Sequence, residues 1–327
     1  MFERSEQTRL SMSADLLIAL APLAVWAVFL FGGRAAMLMF LCGAFTLLLE
    51  IPVRLLKKKR GLSLLSPSAF FTGVLASLLL PVTVPLWMAP FLSALIVLCR
   101  SFTQYFRHRV FNSAVFAVFA ASLLFPEYME RYTRPFAYFS AFDMAPSPEL
   151  VNAYRVFSPL QLLNAGTYYE DGLLSQFLGV ASGPIGAVAV LCLLFSFVWL
   201  ALRKQASLYS SLAYLLTIAL LSAAFSPDDI EMVSFSALHL LSGSLVFLAV
   251  FAMNDYSSAP NPAFRIARLA FGFLAGLMTC LFRSFGWGTA GDYLPVLIVN
   301  LLTPLMEKVS DPFFLSEVRQ KLRRQPQ

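Results

Sequence analysis

Long apolar segments separated by short polar ones dominate the sequence. A helix needs about 20 apolar residues to cross the hydrocarbon core of a bilayer, and most of these segments approach that length. A helix also satisfies its own backbone groups where no water is available, so we predict about ten transmembrane helices. The predicted spans cover residues 16–31, 35–55, 68–80, 86–98, 110–125, 185–202, 208–225, 235–253, 269–282 and 293–306.

One long stretch, residues 126–183, interrupts the apolar pattern with prolines, aromatic residues and acids. Five predicted spans lie on each side of it. The sequence therefore predicts an all-α polytopic membrane protein with two five-helix halves, 1–125 and 184–327, joined by the loop 126–183. Paired halves of this kind are typical of channels and transporters.

Prolines and glycines mark two places where a span is expected to break. Pro81 and Pro85 follow the third apolar segment, and Gly183, Pro184 and Gly186 precede the bulk of the sixth. Backbone groups freed in this way need partners in protein or water, so broken helices often line a ligand or ion path. Ordinary kinks, or helix ends at the membrane interface, are the alternative interpretation.

Composition excludes a soluble fold. Hydrophobic residues make up 59% of the chain and charged residues 13%, with a mean hydropathy of +0.74, whereas soluble domains carry about 25% charged residues. The four cysteines are far apart, and we interpret them as small apolar residues.

The net charge of +6 is sorted by loop and does not indicate a nucleic-acid partner. Most Lys and Arg residues fall in loops that lie on one side of the predicted bundle, together with both termini. Basic loops face the cytoplasm, so we predict that both termini are cytoplasmic, that 126–183 is extracytoplasmic, and that the basic tail contacts lipid headgroups. The predicted outer side holds only Arg34, Arg131, Arg134, Arg155 and Arg283.

Candidate chemistry is sparse. The sequence contains no metal-ligand spacing, catalytic triad or phosphate-binding glycine loop, and neither His108 nor His239 has a nearby ligand partner. A charge inside the bilayer costs free energy unless it faces a cavity or a partner. Glu50 and Asp255, close to the ends of spans, are therefore candidates for an ion or cofactor path, with a structural polar network as the alternative. Asp15 is expected in the headgroup region.

Several local patterns, taken in order, resemble the D subunit of the Rnf electron-transport complex and the B subunit of the sodium-pumping NADH:quinone reductase, the RnfD/NqrB family. The strongest block runs from Thr72-Gly73 to the Leu-Pro-Val-Thr-Val-Pro-Leu-Trp sequence at 80–87. Asn112 lies in a Phe-Asn-Ser-Ala turn, and Asp255 ends a Phe-Ala-Met-Asn-Asp sequence. Family members have ten spans and both termini inside, as the charge pattern independently predicts.

The resemblance implies a component of a translocase or oxidoreductase complex in the bacterial inner membrane, rather than an enzyme acting alone. Such a complex couples electron flow from ferredoxin or another reductant to NAD with Na⁺ or H⁺ movement, and the partners would be the A, B, C, E and G subunits of the Rnf type. Thr72, Gly73 and Asn112 would line the broken-helix core and contact a cofactor. The implied cofactors are FMN, covalently attached through Ser158, and riboflavin.

The sequence departs from the family at these cofactor positions. Bulky residues precede Ser158, and Asn152 replaces an aspartate. Residues 105–109 add bulk and charge to a glycine-rich loop, and 183–187 lack a carboxylate. Ser158 can also be interpreted as a residue that simply precedes a proline in an extended turn. Two other functions therefore stay open: a small-solute channel or permease of urea-channel-like architecture, and a flavin-free scaffold subunit.

Overall fold

The computed structural model describes residues 6–56, 67–105, 111–166, 172–227 and 231–323. Within these ranges the chain is helical and contains no β-strand, apart from an isolated antiparallel bridge between Thr133 and Arg155. His108, the basic run 57–60 and most of the loop 105–109 lie outside the described residues. The helices are α1 (Glu6–Phe31), α2 (Gly33–Leu56), α3 (Pro67–Ser77), α4 (Met88–Tyr105), α5 (Ser113–Leu124), α6 (Pro126–Met129), α7 (Pro148–Tyr154), α8 (Pro159–Asn164), α9 (Gly172–Leu178), α10 (Val190–Leu202), α11 (Leu208–Ala224), α12 (Met232–Leu241), α13 (Leu245–Phe247), α14 (Arg265–Ser284) and α15 (Ala290–Arg323).

Three helices in the described ranges are long and apolar enough to cross a membrane unaided: Ala14–Phe31 of α1, α2 and α14. The pair formed by α12 and Leu245–Ala252, which bends by 66°, is a fourth candidate. Shorter apolar helices accompany them at Met88–Phe102, Ser113–Leu124, Val190–Leu202 and Leu208–Ala224. The chain is thus an all-helical, multi-pass membrane protein, as its apolar pattern predicts, and a helix lies in each of the ten predicted segments.

The helices pack in the same order in the two parts of the chain. In the first part α2 contacts α3 and α4, and α4 contacts α5; in the second α11 contacts α12 and α14, and α14 contacts α15. The two parts meet where α1 packs against α10 and where α5 packs against α15.

Glycines allow the closest helix contacts. Gly272 and Gly276, four residues apart on α14, lie against the backbone carbonyls of Ser210 and Tyr214 on α11. Gly73 of α3 lies in the same way against the Cys42 carbonyl of α2. A side chain at these positions would overlap the neighbouring backbone, so small residues set the helix spacing, as is usual in membranes.

The third predicted span breaks after Ser77, as the prolines indicate. Its freed carbonyls find partners elsewhere in the protein: Gly186 N–H donates to the Leu78 carbonyl at 2.7 Å, and Ile185 N–H donates to that of Leu80 at 2.9 Å. The Arg34 side chain donates to the carbonyls of Val82 at 3.0 Å and Val84 at 2.9 Å.

The second break lies where the sequence predicts it, because residues 179–189 are irregular and α10 begins at Val190. Within this segment Gly186 N–H pairs with the third span. The eighth span also breaks, between α12 and α13, where Gly243 has a φ of +69°. The Arg283 side chain donates to the His239 carbonyl at 2.9 Å and to the Ser242 carbonyl at 3.0 Å. Asp292 accepts from Ser244 N–H at 2.9 Å.

Candidate functional site

A cavity of about 270 Å³ lies between the two parts of the chain, and we call it the inter-half cavity. Its walls come from α1, α3, α4, the start of α5, the end of α10, and the π-helical turn Leu248–Ala252 with the loop that follows. The lining residues are Leu16, Ser68, Phe71, Thr72, Leu75, Arg100, Asn112, Ser113, Ala114, Leu200, Lys204, Gln205, Val250, Phe251, Asn254, Asp255, Tyr256, Ser257 and Pro262.

Arg100 organises the polar wall on the first-half side. It comes from α4, is buried, and donates to the hydroxyls of Thr72 at 2.9 Å and Ser68 at 3.1 Å. Glu50 of α2 lies behind it, 3.4 Å from the Arg100 guanidinium and 3.1 Å from that of Arg54. Among the described residues, one carboxylate thus faces two guanidinium groups.

The opposite wall is held by Asn254 and Asp255. The Asn254 side chain accepts from Ser207 N–H at 2.7 Å and donates to Ser211 Oγ at 2.7 Å and to the Val250 carbonyl at 3.0 Å, which ties the π-helical turn to α11. The Asp255 carboxylate accepts from the hydroxyls of Ser257 and Ser258 in its own turn. π-Helical turns inside α-helices occur frequently at functional sites.

Asn112 shapes the third side of the cavity. Its side-chain oxygen accepts from the N–H groups of Ala114 at 3.1 Å and Val115 at 3.2 Å, so it caps the N-terminus of α5. Asparagine is among the preferred residues at this position, since it satisfies N–H groups that lack a helical partner. The cap fixes the start of α5 beside Thr72 and Arg100.

The structure brings together some of the predicted site residues and separates others. Thr72, Asn112 and Asp255 all line the inter-half cavity. Glu50 reaches it only through Arg100, and Gly73 faces α2 as a packing residue. Ser158 lies elsewhere.

Sequence reasoning gave no site role to Arg100, Asn254 or Lys204. A signal was present for Arg100, because a charge within an apolar helix needs a partner or a cavity. The role of Asn254 depends on contacts with α11, which no local pattern indicates. Asp15 is buried and accepts from Arg203 Nε at 2.8 Å, because the end of α10 packs beside it. Its location in the headgroup region stays a prediction.

A second cavity of only about 10 Å³ lies among residues of the predicted extracytoplasmic side, and we call it the outer cavity. It shares no lining residue with the inter-half cavity. Its lining residues are Tyr132, Ser158, Pro159, Leu160, Gln176, Ala181, Ser182, Gly183, Pro184, Val188, Leu241, Gly243, Ser244 and Thr289.

Ser158 serves here as a helix cap. Its hydroxyl accepts from Gln161 N–H at 3.3 Å, and the Gln161 side chain accepts from Ser158 N–H at 2.9 Å, a capping box at the start of α8. Ser158 is buried, and the adjoining space suits one water-sized group. A flavin nucleotide does not fit beside Ser158 in this arrangement.

The inter-half cavity combines a cationic wall, a half-buried carboxylate, side-chain amides and hydroxyls with the apolar surfaces of Phe71, Leu75 and Phe251. Within the described residues no group of His, Cys, Asp and Glu is placed to hold a metal ion. These features define a class: a multi-pass α-helical membrane protein with a mixed polar and apolar cavity enclosed between two similarly packed parts.

Within that class the chain belongs to the NQR2, RnfD, RnfE family, whose sequence profile matches residues 2–315. It is 26% identical to the D subunit of the Na⁺-translocating ferredoxin:NAD⁺ oxidoreductase complex of Acetobacterium woodii, over 93% of this chain and 90% of that protein. It is 27% identical to the D subunit of the ion-translocating oxidoreductase complex of Stutzerimonas stutzeri, over 90% and 88%. The D subunit of the proton-translocating ferredoxin:NAD⁺ oxidoreductase complex of Clostridium ljungdahlii is 26% identical, with the same coverage. The predicted family is confirmed.

Proposed function

We propose that the chain is the D-type membrane subunit of a redox-driven ion pump, assembled with other Rnf-type subunits. The similar proteins are named as the D subunits of complexes that translocate Na⁺ in one case and protons in another. The observation that carries the proposal is the inter-half cavity, where Arg100 and Asp255 bring charge into the interior of an otherwise apolar bundle. Groups of this kind inside a membrane protein mark ion paths and cofactor sites.

The proposal includes ten spans in two five-helix halves, with both termini on the cytoplasmic side of the bacterial inner membrane. The repeated packing order of α2 to α5 and α11 to α15 supports the two halves. The excess of basic residues in loops on one side supports the orientation.

The inter-half cavity is also the better flavin site of the two cavities. Ligand pockets begin at about 300 Å³, and 270 Å³ suits the flat ring system of a non-covalent flavin such as riboflavin. Phe71, Leu75 and Phe251 would contact its faces, while Arg100 and Asn112 would contact its polar edge. A bound flavin would supply the electron transfer, and the chain would hold it and place the Arg100 guanidinium beside it. FMN on Ser158 requires that the α8 cap first open.

The flavin is tested by purifying the chain with its complex and measuring extracted flavin per chain. Leu75→Trp should fill the cavity and lower riboflavin content at least fivefold. Leu98→Trp adds the same bulk to an exposed position on α4 and should leave it unchanged. Equal flavin content in Leu75→Trp and Leu98→Trp would refute the placement of the flavin in the inter-half cavity. Intact mass separately reports covalent FMN, which Ser158→Ala should remove.

One observation supports the alternative function of a small-solute channel: the inter-half cavity has a polar lining. A channel would be purified without flavin, and proteoliposomes that contain it would take up the solute. Leu75→Trp should block this uptake. A flavin-free scaffold subunit predicts neither flavin nor uptake, with complex assembly intact.

A further inference from the structure

The outer cavity contains a buried amide that the protein leaves unsatisfied. Gln176 of α9 lines it and is 1% exposed, yet neither its side-chain oxygen nor its nitrogen has a hydrogen-bond partner among the described residues. A buried amide without partners is costly, and native proteins normally satisfy such groups with an ion, a water molecule or a ligand. The cavity is therefore expected to hold an occupant.

The other polar groups of the cavity are mostly neutral oxygens. The hydroxyls of Ser158, Ser182, Ser244 and Tyr132 belong to the lining. Burial, together with nearby acidic groups, raises the pKa of Tyr132 well above its ordinary value, so this hydroxyl stays neutral. Neutral oxygens are suitable ligands for a hard cation whose water shell has been removed.

The position of the cavity in the fold also favours a cation. The C-terminal end of the half-helix α12 reaches it at Leu241, and Gly243 of the break lines it. In transporters with broken helices, unwound backbone and half-helix C-termini coordinate the transported Na⁺.

An ion pair lies beside the cavity. Arg283 lies behind Gly243 in a two-point ion pair with Asp292, at 2.7 Å and 3.0 Å. Neither charged residue belongs to the lining, so the site offers no carboxylate of the kind that divalent cations require. A volume of about 10 Å³ suits one group of the size of a bare ion or a water molecule.

We propose that the outer cavity binds one dehydrated monovalent cation, Na⁺, with Gln176 as a ligand, and that it is a station on the outer side of the ion path. The path itself rests on the proposed pump function, whereas binding at the site does not.

The site is tested by thermal unfolding of the full-length chain in detergent, with NaCl exchanged against choline chloride or KCl at constant ionic strength. A ligand that binds only the folded state raises Tm in a saturable way. NaCl should raise the Tm of the wild type by several degrees more than either other salt. Gln176→Leu should abolish this difference.

Asn300→Leu is the matched control, because Asn300 is also 1% exposed with an unpaired side-chain amide but does not line the outer cavity. It should keep the full Na⁺ response. If Gln176→Leu does not fold, Gln176→Glu tests Na⁺ binding at the outer cavity instead. The added carboxylate should lower the half-saturating Na⁺ concentration and create a Tm response to Ca²⁺.

A Tm that is equal in the three salts would overturn the proposal and leave a water molecule as the occupant. Retention of the Na⁺ response in Gln176→Leu, or its loss in Asn300→Leu, would overturn it as well. Flavin content is measured on the same samples. Missing flavin with an intact Na⁺ response contradicts the redox function alone. Bound flavin without a Na⁺ response contradicts the cation site alone.

Discussion

The arginines of the predicted outer side show why basic residues occur where the topology rule disfavours them. Arg34 and Arg283 are buried and donate to the carbonyls of broken helices. Arg131 pairs with Glu127 and Arg134 lies over the Tyr154 ring, in the extramembrane segment. A buried charge is tolerated when it is fully hydrogen-bonded, so hydrogen bonding explains the positions of Arg34 and Arg283. The basic loops of the predicted cytoplasmic side remain the signal for orientation.

At Arg34 this leads to a stability prediction. Its guanidinium donates to four carbonyls, those of Val82, Val84, Ser140 and Asp143. Arg34→Leu should lower the unfolding free energy by at least about 3 kcal/mol, because buried carbonyls left unpaired cost about 1–3 kcal/mol each. Arg34→Lys should recover only part of this, since an ammonium group lacks the forked geometry. Thermal unfolding in detergent measures both, and wild-type stability of Arg34→Lys would contradict the explanation.

The Arg283–Asp292 pair gives a second prediction. Asp292→Asn leaves the Arg283 charge buried without its counter-ion, and breaking such pairs costs about 3–5 kcal/mol. We expect a Tm well below that of the wild type, together with proteolytic sensitivity between α12 and α13. Glu127→Gln removes a carboxylate from an exposed pair and should change Tm by less than a degree. Similar Tm values for the two variants would refute the assigned role.

At the scale of elements, local sequence predicts the apolar helices and the break after α3, because prolines act within their own segment. It does not predict the break at Gly243. That break depends on Arg283 and Asp292, which come from α14 and α15, about forty residues further along the chain. Residues 183–186 lie in the second predicted break, but their hydrogen bonds to the carbonyls of Leu78 and Leu80 join distant parts of the chain and are not predicted by local sequence.

The contact between α11 and α14 can be tested directly. Gly272→Leu would insert a side chain against the Ser210 carbonyl and force the helices apart. We expect loss of folded protein in size-exclusion chromatography, or a large fall in Tm. Phe273→Leu changes the neighbouring, exposed position and should behave as the wild type. A monodisperse, stable Gly272→Leu protein would show that the close contact is dispensable.

For the whole molecule, hydropathy and charge predict the membrane class and a topology, but they do not predict the cavities. The inter-half cavity joins Thr72 and Asn112 to Asp255, residues that are distant in sequence and meet only after both parts of the chain have packed. The resemblance to the family pointed to Thr72 and Asn112, and the cost of a charge near the end of a span pointed to Asp255. The resemblance also pointed to Ser158 as a flavin acceptor, whereas the Ser-Pro-Leu-Gln sequence at 158–161 carries the capping-box pattern that the structure shows at the start of α8.

The topology is tested by cysteine labelling in a chain whose four native cysteines are replaced. Ala145→Cys and Ala263→Cys are both exposed and lie on opposite predicted sides. In intact cells a membrane-impermeant maleimide should label Ala145→Cys alone, and permeabilised cells should label both. The opposite pattern would invert the proposed orientation.

The length of α15 has a mechanical consequence. At 34 residues and about 1.5 Å per residue the helix is about 51 Å long, against about 30 Å for the hydrocarbon core. Roughly the last dozen residues therefore continue past the lipid as helix. In the proposed orientation the end of α15 at Arg323 lies about 20 Å beyond the acyl chains. A soluble partner protein or a fused reporter attached there would be displaced when α15 moves against α5 and α14.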